Sequence, residues 1–498
     1  MTLLIGIDLG TTGCKAAAYD ETGGLRGESY LEYGLITISP TEIEQDPHAW
    51  WELTCRAIRL AMEAAGADGR EVADGHEVAA ISVSSQGISF VCLDAAGEPL
   101  GNSINWLDSR AGAECDAILA KYDATTLFAM TGKRAAPFYV LPKLMWLRAR
   151  RPETWAATRK ILMGHDYLLY RLCGEMATDH SMAGGTLLYD LHALNWSASL
   201  LDAFGISRDL LPTLSWPGTP LGRIRPEVAN ELGLPADVIV ATGGQDQKCA
   251  ALGAGIHDGA ATLSLGTATA IVQVMDAPHT DPERRIPTFT FLQPQRWVLE
   301  GVVGTGAGSL RWHRDVLAPG VPYTTLDAEA AAVPRGSDGV RFHPHLSGAT
   351  SPYWRPQVHA AYENLSLAAT RGHLTRAVLE GVAFQMRANL AVTQAVAGPV
   401  KEAIVFGGGA KSPLWREIIA DVIGLPLAWT PSVETASLGA AMLAGLGAGV
   451  FTSFDDARSR MVGLAARREP DPQAVAEYDE WYRAYGAAEA RLMGENPA

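Results

Sequence analysis

Apolar residues along this chain gather into short runs that stop at glycine, and the first run, residues 3–7, ends at Asp8 before the turn Gly10-Thr11-Thr12-Gly13. An apolar stretch resumes over 15–19, so the opening reads as two strands joined by a glycine-threonine hairpin. Residues 261–270 repeat the layout, with an apolar strand, the turn Leu265-Gly266-Thr267 and a second apolar strand. Two copies of one device predict two related domains. A second pair, 238–244 and 403–409, runs each time as a short apolar strand into glycines and then a helical stretch. Its spacing from the hairpins differs, so the duplication is approximate. The boundary falls within 246–256, giving an N-terminal domain over 1–250 and a C-terminal domain over 251–498.

Asp46-Pro47 supplies an N-cap and an N1 proline for a helix around 50–62, followed by strands at 78–83 and 90–93. Strand, helix and strand in that order argue for α/β layering. Near the end, Val475, Tyr478, Trp481, Tyr482, Tyr485, Ala488 and Leu492 recur at three- and four-residue intervals, which predicts an amphipathic helix over 473–494. Its stripe reads as packing, with 467–472 as the linker before it, and the helix is expected to lie back on the first domain.

A chain of 498 residues is too long for one compact core, which agrees with two domains. Hydrophobic residues at 48% and charged residues at 19% predict a chain folded nearly throughout. The formal charge of -15, with no basic run to override it, makes nucleic acid an unfavourable partner. It does not exclude a nucleotide, because backbone amides, a lysine and a divalent cation set the potential inside a cleft. Cys14, Cys55, Cys92, Cys115, Cys173 and Cys249 show no C-x-x-C spacing, which favours free thiols in a reducing compartment, the cytoplasm. No basic n-region opens the chain and no window offers ~18 uninterrupted apolar residues, so neither export nor membrane insertion is expected.

Phosphoryl transfer needs amide and hydroxyl donors around a polyphosphate, a carboxylate reaching a metal, and a group that accepts the attacking hydroxyl's proton. At the amino terminus Gly10 and Gly13 let the backbone bend toward phosphate, Thr11 and Thr12 add hydroxyls, Lys15 adds charge, and Asp8 at the strand end is placed to hold magnesium through water. An ordinary hairpin whose threonines satisfy their own turn would look the same. No G-x-x-x-x-G-K-[ST] is present, so a P-loop is not the source of phosphate binding. Gly304-x-Gly306-x-Gly308 is a poor dinucleotide fingerprint and reads as loop glycine. Asp246, after Gly243-Gly244-Gln245, fits either an N-cap or a base that deprotonates a substrate hydroxyl. At Gly407-Gly408-Gly409-Ala410-Lys411-Ser412-Pro413 the glycines let a flat ring approach the backbone, and Ser412 and Pro413 start a helix running to Ile423 before Gly424. Simple αβ turn chemistry explains those residues equally well.

Taken in this order, the segments resemble the FGGY carbohydrate kinases, a branch of the actin-like ATPase superfamily. The resemblance runs through 7–12, Lys143-Leu144-Met145-Trp146-Leu147, 166–175, Gly243-Gly244-Gln245-Asp246, Ser264-Leu265-Gly266-Thr267, 373–381 and Phe406-Gly407-Gly408-Gly409. It implies an α/β fold of two actin-like, ribonuclease H-like domains with a catalytic cleft between them, sugar held mainly by the first and ATP by the second. By the same resemblance Asp246 is the catalytic base and a substrate contact, and Asp8 the magnesium-side carboxylate. Gly10, Thr11, Thr12 and Lys15 form the first phosphate loop, Gly266 and Thr267 the second, and Gly408, Gly409 and Ser412 the adenosine platform. Gln86, Trp106, Asp108 and Arg110 fall on the sugar side. An apolar ring face packs against C–H groups there while charged neighbours take hydroxyls, although a buried tryptophan beside a local ion pair explains the same residues.

Ile88 stands where the xylulose kinases of this family carry a histidine, Val140 and Ala149 depart from the first family signature, and Asn364 replaces a glycine in the second. Asparagine tolerates left-handed backbone, so that last change preserves a turn. His343-x-His345 reads as incidental, because no carboxylate or cysteine near it in sequence completes a ligand set. The expected reaction is transfer of the γ-phosphoryl of Mg-ATP to a hydroxyl of a small ketose, a pentulose such as xylulose. Ribulose, a six-carbon ketose, a deoxyketose, glycerol, erythritol or another polyol are alternative acceptors. An inactive sugar sensor and an actin-like ATPase machine are the readings of another class, and the second domain is followed by too few residues for a chaperone's client-binding region. The resemblance also implies a homodimer.

Overall fold

The protein is described by a computed structural model over residues 2–66 and 77–494. Its frame is two sheets of one topology. In the first, the strand Thr2–Leu9 pairs antiparallel with Gly13–Asp20, which pairs with Leu25–Glu32. On its other side Thr2–Leu9 runs parallel to Glu77–Ser85, then come Ile239–Gln245 and the antiparallel edge Pro220–Arg223. Residues 3–7 are all buried, because the helix Pro47–Ala64 lies against this sheet and Thr435–Gly447 packs on Thr2–Leu9 and its parallel neighbours. A strand covered on both faces reads as a continuous apolar run.

The second sheet repeats the order. Ala260–Ser264 is antiparallel to Thr269–Met275, which pairs with Trp297–Val303, and parallel to Glu402–Phe406; Leu427–Trp429 and antiparallel Ala466–Arg468 follow, with Thr288–Thr290 added at the far edge. The hairpins thus correspond, but the second pair of segments does not. Glu402–Phe406 adjoins its central strand and matches Glu77–Ser85, whereas Ile239–Gln245 lies one strand further out and matches Leu427–Trp429. A strand running into glycines and a helix is common to every αβ unit, so it cannot by itself fix equivalence.

The late helix of the chain also needs correcting. Pro472–Leu492 begins where its spacing predicts, with Asp471 accepting from Gln473 N at 2.9 Å, yet it docks on the second unit. Tyr478 Oη donates to Glu380 at 2.9 Å, Arg387 pairs with Asp479 at 2.6 Å, and Gln385 donates to Tyr485 Oη at 2.9 Å, all from the long helix Arg371–Ala397. The helix that returns to the first sheet is Thr435–Gly447. It also packs on Asp246–Gly253, the helix between the two sheets, through glycines. A Cβ on Gly253 would lie 2.0 Å from Thr435 O, one on Gly439 2.0 Å from Cys249 O, and one on Gly6 1.9 Å from Ser437 O. Backbone touches backbone there, which no larger residue permits.

Candidate active site

Carboxylates from both sheets converge where Asp246–Gly253 begins. Ile239–Gln245 ends at the helix, and Gln245 takes the N-cap position, its side chain accepting from Gln247 N at 3.1 Å. Asp246 is therefore the first helical residue and not the cap. Its half-buried carboxylate accepts from Gln247 N at 2.7 Å and from Gln245 Nε2. Burial, then Asp8, then Glu300 on Trp297–Val303 push its pKa up to about 7, against the pull of Lys248. Lys248 is spoken for: its Nζ sits 2.6 Å from Glu300 Oε2 in the interior. A carboxylate held near neutrality is well matched to taking a proton from an alcohol.

Asp8 stands at the end of Thr2–Leu9, cross-strand from Lys15. Ser84 Oγ donates to it at 2.9 Å, and burial raises its pKa to about 6. The turn after it is pinned by Gly10 N to Gly13 O at 2.9 Å and by Tyr33 Oη on Gly10 O. Thr12 is exposed with its hydroxyl 3.3 Å from Tyr30 Oη. Lys15 does not stand free beside the turn, because its Nζ is 2.6 Å from Glu434, which precedes Thr435–Gly447, and 3.6 Å from Glu28.

In the second unit one cavity of ≈ 540 Å³ brings together Gly266, Thr267, Gly408, Gly409 and Ser412. Gly407 has φ 97, a left-handed-side conformation, and a Cβ there or on Gly409 would meet Leu265, whereas Gly408 faces open space. Ser412 caps Pro413–Ile423, accepting from Trp415 N at 3.1 Å, and its hydroxyl also meets Asp327 on the cavity wall. Tyr323, Arg311 and Lys411 line the same space. Gly308 also lines this cavity and Gly306 packs on Thr269 just before it, contrary to a reading as loop glycine. Ala307 N donates to Gly266 O at 2.8 Å and Gly308 N to Thr267 O at 3.1 Å, so the start of Ala307–Leu317 is pressed onto the second turn.

The sugar-side candidates separate into two groups. Gln86 is buried in an amide cluster: its Nε2 donates to Gln45 Oε1 at 2.7 Å, and Asn105 Nδ2 donates to Gln45 Oε1 at 2.7 Å and to Gln86 Oε1 at 3.3 Å. Gln45 passes this order to the first turn through Nε2 on Thr11 O at 2.7 Å. Trp106, 38% exposed, donates Nε1 to the Thr11 hydroxyl at 2.8 Å, so an open indole face stands beside the turn. Asp108 and Arg110 lie behind it, paired at 2.7 Å, with Arg110 also 3.0 Å from Glu44 and its guanidinium over the Trp146 ring. The Arg110 side chain is 1% exposed in this buried ion pair, and its Nη1 has no hydrogen-bond partner, lying 3.7 Å from Glu42. Lys143 donates to Asn105 O at 2.6 Å, with burial lowering its pKa to about 7. Ile88 has φ 55, a strained conformation for a β-branched residue. Gln45, Asn105 and Glu434 escape sequence reasoning, since no local motif marks them.

Two sheets of matching order, each opening with a strand-turn-strand hairpin, define the two-domain architecture of the actin-like ATPases. The chain belongs to the FGGY family of carbohydrate kinases: the family's N-terminal domain matches residues 3–253 and its C-terminal domain residues 261–448. It is 33% identical to the xylulose kinase of Escherichia coli (strain K12) over 482 residues, 96% of each chain. It is 30% identical to the gluconokinase of Bacillus subtilis (strain 168) over 491 residues, covering 95% of this chain and 93% of that one. The ligand-bound xylulose kinase from Lactobacillus acidophilus superposes with a TM-score of 0.92 at 26% identity, covering 99% of this chain and 98% of that one. No helix among the described residues is long and apolar enough to cross a membrane.

Proposed function

We propose that this carbohydrate kinase transfers the γ-phosphoryl of Mg-ATP to a primary hydroxyl of a pentulose, with xylulose favoured. The observation that carries the reading is Asp246, a carboxylate raised to about 7 beside Asp8, at the junction of the two sheets. Asp246 takes the proton of the attacking hydroxyl, and its position at a helix start restrains the carboxylate that the sugar must approach. Trp106 offers an apolar face to the C–H side of the sugar. The cavity lined by Gly266, Thr267, Gly408 and Gly409 receives the nucleotide, with Lys411 and Arg311 as cations on its wall.

Asp8 fits a magnesium ion on one structural ground: it is a half-buried carboxylate beside the acidic Asp246 and Glu434, its charge offset by Ser84 Oγ and by a Lys15 that Glu434 already holds. When bound there through water, magnesium would neutralise phosphate charge as the transfer proceeds. Thr11 and Thr12 offer hydroxyls to the phosphates, and Lys15 offers an ammonium once it exchanges Glu434 for phosphate oxygen. Asp108, Arg110 and the Gln45–Gln86–Asn105 cluster hold Trp106 and the first turn in place. The six cysteines are all free, which supports a reducing cytoplasm. A sugar acid is the second reading, favoured by the gluconokinase relative and by Ile88 in place of a histidine. The deciding experiment measures ADP release with xylulose, ribulose, glycerol, erythritol and gluconate. Xylulose should exceed each of the others in kcat/KM by roughly tenfold or more, about 1.4 kcal/mol of discrimination; a higher value with gluconate moves the assignment to the acid.

A further inference from the structure

His343 ends the strand Arg341–His343, His345 follows it, and a carboxylate that is distant in sequence meets both: Glu489, in the last turns of Pro472–Leu492. The three are 0%, 3% and 1% exposed. His343 Nδ1 faces Glu489 Oε2, His345 Nε2 lies 2.6 Å from Glu489 Oε1, and the candidate donor atoms all fall within 4.8 Å of one another. The expectation that the histidine pair is incidental therefore loses its ground, because the missing carboxylate comes from the final helix.

Hydrogen bonding alone leaves one atom of this cluster unexplained. If His343 donates from Nδ1 to Glu489 as a neutral ring, its Nε2 is a bare acceptor, buried without a hydrogen-bond partner. That lone pair would look toward Glu363 Oε2, 3.6 Å away, an arrangement of two acceptors that costs free energy. A cation at Nδ1 reverses the tautomer. Nε2 then carries the proton and points it at the Glu363 carboxylate, the arrangement by which metal-bound imidazoles are usually oriented. Two further contacts hold the would-be ligands: Gln385 Nε2 donates to Glu489 Oε1 at 2.9 Å, and the Tyr485 ring stacks on His343 at 4.5 Å between centroids.

We propose that His343, His345 and Glu489 form a binding site for a divalent d-block cation, zinc by the character of its ligands. Two imidazole nitrogens and one carboxylate oxygen suit zinc, while magnesium and calcium prefer oxygen alone. Water or the second oxygen of Glu489 completes the coordination. The site is structural: it ties the final helix to the strand Arg341–His343 beside the long helix that carries Gln385.

The test uses the full chain without an affinity tag, stripped with a chelator and titrated with ZnCl2 against a competing metal indicator, and separately with CoCl2. One zinc per chain should bind, the cobalt form should show the d–d absorption of a low-coordinate nitrogen-oxygen site, and excess Mg2+ should displace neither. His345→Gln and Glu489→Gln should each weaken zinc by more than the roughly 10–100-fold expected for Glu363→Gln, which removes only the outer carboxylate. Circular dichroism identifies any variant that fails to fold; if both ligand variants fail, the wild-type stoichiometry and cobalt spectrum decide. Less than stoichiometric zinc in the wild type, or variants that bind as tightly as it does, would mean that a protonated imidazole bridging two carboxylates is the whole of the cluster, and would overturn the proposal.

Discussion

Asp246 is where single-residue chemistry can be tested with the sign worked out. Its pKa is raised from 3.8 to about 7, so the proton-accepting form predominates only above that value. kcat/KM should therefore fall tenfold per pH unit below about 7, checked by steady-state rates across pH with a constant-ionic-strength buffer. The folded state also binds more protons than the unfolded chain between 3.8 and about 7, so this residue makes stability decline as pH rises through that window. Asp246→Asn should remove that part of the decline and melt higher than the wild type at pH 8, while losing roughly 10²–10⁴-fold in turnover and keeping nucleotide affinity. Glu434→Gln frees Lys15 from its 2.6 Å partner and should lower the KM for ATP with little change in kcat. Asp8, Thr11 and Asp246 stood out as candidates in the sequence because phosphoryl transfer demands particular residue types where strands end at glycine turns. Gln45, Asn105 and Glu434 were not, since an amide or carboxylate that supports a turn from another element leaves no spacing to read.

The helices show why local pattern identifies an element more readily than its neighbours. Pro47–Ala64 and Pro413–Ile423 follow the N-cap and N1 proline signals read in the sequence, and Pro472–Leu492 starts on the same pair, Asp471 and Pro472, where 467–472 reads as a linker. Which surface each one covers depends on partners elsewhere in the chain, 98 residues away for Tyr478 and Glu380. The apolar stripe of Pro472–Leu492 carries no label saying that Glu380 and Gln385 belong to its partner. Thr435–Gly447 returns to the first sheet because Gly253 and Gly439 allow the two central helices to touch backbone to backbone. Gly439→Val would drive side-chain atoms into Cys249 O and should cost about 1–3 kcal/mol or more, read as a lower denaturant midpoint. An unchanged midpoint would show that these helices separate without penalty.

The whole molecule is two copies of one sheet topology joined through paired helices, with the proposed proton acceptor Asp246 at the join and the candidate nucleotide cavity in the second copy. The duplicated hairpins made the two-unit plan readable from sequence, while the differing loop lengths hid which later strands correspond. The proposed function makes phosphoryl transfer depend on both units at once: sugar would lie beside Trp106, nucleotide in the cavity lined by Gly266 and Gly408, and Asp246 would act between them. Without sugar, ATP should turn over slowly, because water is a poor substitute for an alcohol held against the base. The decisive measurement is ADP release with Mg-ATP in the presence and absence of xylulose, for the wild type and Asp246→Asn side by side. Xylulose should stimulate the wild type by roughly 100-fold or more and leave the variant near its basal rate. Equal stimulation of both proteins, or ADP release from the wild type that ignores every sugar, would contradict it.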